Sequence, residues 1–215
     1  MIKAVIFDFD GVLVESLDVK TEAFSVLFEQ EGDDVVRQIK EYHLNNGGVS
    51  RFDKFRYIYS NILKKDLDDK TFNNLCSRFS VMVKEKVVSA PYVVGAREFL
   101  DLYSKEYLCF VVSATPIDEL KDIICKRLMD GYFKEIYGAP WQKKDAIEGV
   151  TKGYNLKNHE VIFIGDALND YEAAKSSSVN FLARCSGRHS FFESLNCIKI
   201  KDLSNLHIIL KEKFC

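Results

Sequence analysis

An apolar run that ends in two carboxylates constrains this chain most: Ala4, Val5, Ile6 and Phe7 lead directly into Asp8, Phe9, Asp10 and Gly11. Four consecutive apolar residues without polar alternation fit a strand buried on both faces, the kind found in parallel sheets covered by helices. Such sheets bind their ligands just beyond the carboxyl ends of the strands. Asp8 and Asp10 therefore stand where chemistry is expected. Their side chains, two apart on an extended segment, share a direction, and Gly11 lets the chain turn at positive φ. On this fragment alone, turn capping explains the two acids equally well, so the rest of the chain has to decide.

After Leu13 the apolar period becomes helical and stays so to about residue 89. Leu17, Phe24, Leu27 and Phe28 form one stripe, and Val36, Ile39 and Tyr42 form a second that Gly47 and Gly48 terminate. Ser50 is placed to cap a third helix bearing Phe52, Phe55, Tyr59 and Ile62. Asp68 or Asp69 can cap a fourth bearing Phe72, Leu75, Cys76, Phe79, Val83 and Val87. From Pro91 onward helix and strand alternate, as in βα units of a parallel sheet. Strands are expected at 107–112, 135–137, 161–164, 179–183 and, weakly, 197–200. Helices are expected at 95–104, 116–128, after Pro140, at 169–177, briefly at 189–195 and at the end. The expected fold class is α/β, a Rossmann-like three-layer parallel sheet from residues 1–13 and 91–215, with an α-helical insertion over 14–90.

Three apolar runs end in reactive or anion-binding groups: Asp8 with Asp10, Ser113, and Asp166 with Asp170. Right-handed crossovers bring all three ends to one edge of one sheet. Oxygen donors alone, with no His or Cys nearby, favour Mg²⁺ over zinc. Beside such an ion Asp8 stays ionised and can attack phosphorus to give an acyl phosphate, which water then cleaves. Asp10 can protonate the leaving oxygen and later activate that water. Ser113, with Thr115 as a second candidate, and either Lys143 or Lys144 can bind the remaining phosphoryl oxygens. Asn169 is expected to cap the helix that follows.

Composition narrows the class. With 215 residues, 47% of them hydrophobic, the chain suits one domain carrying a sizeable insertion. A net charge of -2 provides no electrostatic footprint for nucleic acid or an anionic membrane. No apolar stretch reaches the length of a signal core or a membrane span, so a cytoplasmic protein is expected. Six widely spaced cysteines show no zinc pattern and read as reduced thiols, Cys109 in the core and Cys215 the most exposed.

With these residues in place, the sequence resembles the haloacid dehalogenase-like hydrolases along its whole length. Asp8-Phe9-Asp10-Gly11-Val12 is similar to that family's first motif, Val111-Val112-Ser113 to the second, Lys143 to the third and Gly165 through Asp170 to the fourth. The resemblance implies Asp8 as nucleophile, Asp10 as general acid and base, and Ser113 and Lys143 as phosphate ligands. It also implies Mg²⁺ held by Asp8, Asp166 and the backbone carbonyl of Asp10, with Asp170 in support through water or Lys143. Lys143 has the family's usual spacing, three residues after Pro140. The insertion resembles the cap of the phosphoglycolate phosphatase and phosphoglucomutase-like branch. An acid at position 10 implies phosphate-ester chemistry rather than dehalogenation. Two departures are Glu15, where many relatives have Asp, and Ser176-Ser177-Ser178 in place of an Ala/Gly-rich turn.

On the third insertion helix Arg51 and Lys54 lie roughly 60° apart, whereas Arg56 points about 140° away from Arg51. Arg51 and Lys54 can jointly reach a polar or anionic substrate, with Gly47 and Gly48 making their loop mobile, or they belong to an ordinary solvated face. The expected activity is Mg²⁺-dependent hydrolysis of a small phosphorylated metabolite, such as a sugar phosphate or phosphoglycolate, through an aspartyl-phosphate. A phosphomutase of the β-phosphoglucomutase type is the alternative, and a non-catalytic binding protein the third reading. The sequence does not fix the oligomeric state.

Overall fold

A computed structural model describes residues 1–187 and 192–214. Among these residues six strands form one parallel sheet in the order β3-β2-β1-β4-β5-β6. They are β1 (Ala4–Phe7), β2 (Leu108–Pro116), β3 (Glu135–Ala139), β4 (Val161–Gly165), β5 (Asn180–Arg184) and β6 (Ile198–Ile200). β1 is central because it can afford no polar side chain: all four residues are fully buried, with Phe7 registered against Val111 on one side and Ile164 on the other. Its alternating side chains feed two cores. Val5 and Phe7 join Leu100, Leu120 and Ile164 in one layer, and Ala4 and Ile6 join Phe110, Ile147 and Phe163 in the other. The architecture is the expected α/β Rossmann-like sheet with helices on both faces.

Between β1 and β2 run α1 (Leu17–Leu27), α2 (Asp33–Asn45), α3 (Arg51–Tyr57, continuing as a π-helical turn through Ile58–Leu63) and α4 (Asp69–Ser89). The expected caps form: Ser50 Oγ accepts from Asp53 N at 3.2 Å, and Asp68 Oδ1 accepts from Thr71 N at 2.7 Å. Phe24 anchors the helical insertion, with ring centroids 5.6 Å from Phe55 and 4.8 Å from Phe79. The chain leaves and re-enters the sheet side by side. Glu15 N donates to Pro91 O at 2.9 Å, and Val93 N donates to Leu13 O at 3.1 Å. Arg127 finishes α4 by donating to the carbonyls of Val87, Val88 and Ala90 at 3.0, 2.6 and 2.7 Å.

The remaining helices are α5 (Ala96–Tyr103), α6 (Ile117–Lys126), α7 (Lys143–Gly153), α8 (Leu168–Ser176) and α9 (Leu206–Lys213). Two expectations change. The buried face of α3 and its extension is Arg51, Lys54, Phe55 and Ile58, one residue off the predicted stripe, with Phe52, Tyr59 and Ile62 only partly buried. The short helix predicted at 189–195 lies partly outside the described residues, and 192–194 form a turn. Cys215 also lies outside them.

Candidate active site

The carboxyl ends of β1, β2 and β4 meet as parallel register requires. Asp8 continues β1, its N–H donating to Ile164 O at 2.9 Å, while its Oδ1 accepts from Phe9 N at 2.8 Å. Asp170 sits in the first turn of α8, fully buried, and its Oδ2 accepts from the N–H groups of Asp166 and Ala167 at 3.2 and 3.1 Å. Lys143, the first residue of α7, links the two acids. Its Nζ lies 2.5 Å from Asp170 Oδ1 and 3.2 Å from Asp8 Oδ2. Lys144 is half exposed and faces Glu148 at 3.7 Å, so the geometry brings Lys143 alone of the pair to Asp8.

The carboxylates of Asp8, Asp166 and Asp170 offer oxygens that all lie within 4.8 Å of one another. Burial, together with the like charges of Asp170 and Asp10, pushes Asp8 up to about 7 despite Lys143. Asp166 is pushed up well above its ordinary range by burial and by Asp8 and Asp170. Lys143 is held above its usual value by Asp170 and Asp8, although burial opposes this. One ammonium among three carboxylates leaves uncompensated negative charge, and hard oxygen donors so placed suit a small divalent cation. Asp170, committed to Lys143 and two backbone N–H groups, suits a supporting role; Asp8 and Asp166 are the freer donors. Gly11 makes room for Asp166. At φ +78° a Cβ here would come 2.1 Å from Asp166 Oδ2.

Asp10 faces the insertion. Ser16 Oγ donates to its Oδ1 at 2.6 Å, Thr115 Oγ1 donates to its Oδ2 at 3.0 Å, and Lys20 Nζ pairs with the same oxygen. Burial raises the Asp10 pKa, but Lys20, Ser16 and Thr115 together hold it below the ordinary value. Thr115 is thus occupied by Asp10 and by Lys20, whose Nζ is 2.8 Å away. Ser113 is buried at 2% exposure and accepts from Thr115 N at 3.2 Å, leaving its hydroxyl proton to donate.

Arg51 and Lys54 line the same cavity as Asp8, Asp10, Ser113 and Asp166, a space of about 110 Å³. The solvated-face alternative does not hold for them, since they are 6% and 3% exposed. Arg51 is already engaged: it pairs with Glu119 of α6, donates to Ser80 Oγ at 2.9 Å and lies 4.6 Å over the Phe79 ring. Lys54 Nζ lies 2.9 Å from His43 Nδ1 and donates to His43 O at 3.3 Å. Arg56 is exposed over Phe72.

Gly47 and Gly48 serve close approach. A Cβ on Gly47 would meet Ala167 Cβ at 3.0 Å, and one on Gly48 would meet Lys143 Nζ at 3.2 Å. Asn169 does not cap α8, whose capping position is Ala167. Instead its Nδ2 donates to Gly48 O at 2.8 Å and ties the insertion's loop to the sheet side of the site. Glu15, the departure noted in the sequence, pairs with Arg184 at 2.5 Å, and Arg184 Nη1 also donates to Gly11 O at 3.1 Å. Both brace the turn behind the acids.

Ser16, Lys20, His43, Glu119 and Arg184 went unrecognised in the sequence. Lys20 did leave a signal: it falls inside the α1 stripe at 17, 20, 24 and 27, where a cation breaks the apolar pattern, one turn after Ser16. His43 likewise extends the stripe at 36 and 39. Glu119 and Arg184 had none, because tertiary contacts alone select them.

A family model described as haloacid dehalogenase-like hydrolase matches residues 5–184. No curated protein matches the sequence. Among solved structures, β-phosphoglucomutase from Clostridium difficile superimposes with a TM-score of 0.80 at 19% identity, over 100% of this chain and 97% of that one. A predicted phosphoglycolate phosphatase from Haemophilus somnus does so with a TM-score of 0.75 at 18% identity, over 97% of both chains. The magnesium-bound HAD-hydrolase YfnB from Bacillus subtilis gives 0.71 at 15% identity, over 98% of this chain and 99% of that one.

Proposed function

This chain belongs to the haloacid dehalogenase-like hydrolases, and from that premise we propose that it is a Mg²⁺-dependent phosphatase of a small phosphorylated metabolite, working through an aspartyl-phosphate on Asp8. The observation that carries the reading is Lys143 bridging Asp8 and Asp170 beneath a cavity roofed by the helical insertion, here acting as a cap over residues 14–90.

In this reading the phosphoryl oxygens take hydrogen bonds from Ser113 and Lys143, which orient phosphorus toward Asp8 and offset charge in the transition state. An Asp8 oxygen bonds to phosphorus as the ester P–O bond breaks, and Asp10 protonates the departing oxygen. In the second half Asp10 takes a proton from water, which attacks phosphorus and frees Asp8 with inorganic phosphate. Lys20 holds Asp10 ionised, the form needed for that second half, so the first half requires substrate to displace Lys20. Asp8, Asp166 and the Asp10 backbone carbonyl would hold Mg²⁺, with Asp170 supporting through Lys143; the ion would supply the positive charge that these acids and a phosphate dianion lack. The cap excludes water until the ester is in place. The described cysteines are free thiols, in keeping with a cytoplasmic setting, and among the described residues no helix is long and apolar enough to cross a membrane.

The test is phosphate release from a panel of sugar phosphates, phosphoglycolate and nucleotides, with and without Mg²⁺, beside Asp8→Asn. Release that needs both Asp8 and the ion is expected. Isomerisation of a sugar phosphate without net release would make the protein a phosphomutase instead, and inertness toward every member with intact fold would favour a binding role.

A further inference from the structure

Two parts of the helical insertion meet the sheet body on very different terms. Phe79, Val83 and Val87 of α4 belong to the same apolar core as Leu120, Ile123 and Ile124 of α6. Ion pairs reinforce that junction: Arg51 meets Glu119 out of solvent, Lys84 Nζ lies 2.5 Å from Asp122 Oδ2, and Lys126 Nζ lies 2.8 Å from Glu85 Oε1. Swinging the insertion away as one body exposes that core and strips Arg51 and Glu119 of each other. The loop between α2 and α3 is held far more lightly. Residues 46–50 are all partly exposed, two of them are glycines, and among the described residues a single hydrogen bond ties this loop to the sheet body, from Asn169 Nδ2 to Gly48 O at 2.8 Å. Segments with so little buried apolar surface open locally at low cost.

The same loop separates two cavities. Gly48, Val49 and Ala114 line both the reaction cavity and a larger one of about 410 Å³, which is walled further by Arg56, Trp141 and Lys143. We propose that residues 46–49 are the gate of the reaction cavity: they lift off Asn169 and join the two spaces, so that a small anionic substrate enters past Trp141 while α3 and α4 stay seated. Lys143 fits this route. It lines the outer cavity while its Nζ lies 3.2 Å from Asp8 Oδ2, so an anion entering there meets the lysine on its way to Asp8. Gly47 and Gly48 fit it as well, since in the closed position a Cβ on either would come within 3.0 Å of Ala167 or 3.2 Å of Lys143. That the inner cavity is the reacting site rests on the phosphatase reading above; the route into it does not.

The test is thiol trapping, which needs no turnover and so stands apart from any failure of the phosphatase reading. Ser113→Cys places a thiol on the cavity wall. Its labelling by 2-sulfonatoethyl methanethiosulfonate, an anion comparable in size to a small phosphate ester, is followed at residue 113 by mass spectrometry with Mg²⁺ present. In the same protein Lys84→Cys and Asp122→Cys, with the exposed Cys125→Ser, are joined by a short bismaleimide that staples α4 to α6. The stapled protein is expected to label within about twofold of the unstapled rate, and Asn169→Ala is expected to speed labelling about tenfold, the worth of one lost hydrogen bond. Labelling slowed about tenfold by the staple means that the insertion swings as a body, and labelling indifferent to Asn169→Ala means that the loop is no gate; either result overturns the proposal. Hydrogen exchange gives a second reading without the staple. Asn169→Ala should lower protection of the Asn46 and Val49 amides, which donate to Tyr42 O and Asn46 O, and leave α4 and α6 as they were. Protection lost across α4 and α6 as well overturns the gate.

Discussion

If burying the Lys54 ammonium costs more than the more distant carboxylates of Asp10 and Asp166 return, the protein should become more stable when Lys54 is removed. Lys54 is 3% exposed and its amine is pushed from 10.5 down to about 7, chiefly by burial. The sign follows from linkage: below about pH 7 the folded and unfolded states both carry the proton, and folding bears the full cost of burying it. As pH rises from about 7 toward 10.5 only the unfolded state stays protonated, and above 10.5 the cost is gone. A shift of that size corresponds to about 5 kcal/mol at most. Lys54→Met retains volume but gives up the hydrogen bonds to His43, which returns about 1 to 3 kcal/mol of the gain. The net expectation at pH 7 is a gain of about 2 to 4 kcal/mol, or roughly 5 to 15 °C in Tm for a chain of this size. Thermal and urea unfolding of both proteins from pH 7 to 10 measure it, above the range where His43, pushed down to about 2 by burial and Lys54, differs in protonation between states. The gain should shrink steadily with pH. A variant less stable at every pH, or a difference that ignores pH, would refute the idea that the buried Lys54 charge is a net cost to the fold.

Asp8 has the opposite sign. Its folded value of about 7 lies above the ordinary 3.8, so metal-free protein should lose stability as pH rises from about 4 to 7. Mg²⁺ should restore it, with a larger thermal shift at pH 8 than at pH 5; equal shifts would argue against the cation site. Lys20→Met removes the charge that holds Asp10 ionised, so the alkaline limb of kcat/KM against pH, set by Asp10 as the acid of the first half-reaction, should move upward, with an unmoved limb counting against the pair. Glu119→Ala leaves Arg51 buried without its partner and should cost about 3 to 5 kcal/mol in urea unfolding. Adding Arg51→Met should recover most of that loss.

What could be read from the chain was whatever short-range chemistry fixes. The apolar runs before Asp8, Ser113 and Asp166 became adjacent strands, and Ser50 and Asp68 capped the helices they precede. The buried face of α3 could not be read in this way, because Arg51 and Lys54 are polar in type and buried in fact. Each is accommodated by a partner distant in sequence or on another helix, Glu119 and His43. The choice of Lys143 over Lys144 also had to wait for α7, whose first turn aims one lysine at Asp170 and the next at solvent. Asn169 and the two glycines at 47 and 48 looked like local punctuation, yet their neighbours lie across the cavity.

The side-by-side passage of the chain at Glu15 with Pro91 and Leu13 with Val93 has a consequence for how such a molecule can change over generations. To the sheet, everything between those two points is equivalent to a tight turn, since the two ends are already hydrogen-bonded neighbours. The helical segment can therefore lengthen, shorten or be exchanged for another without altering the order or register of any strand. The sheet body and the helical segment over it are thereby inherited as separable parts, joined through side chains such as Lys20, Arg51, Arg127 and Asn169 that reach across.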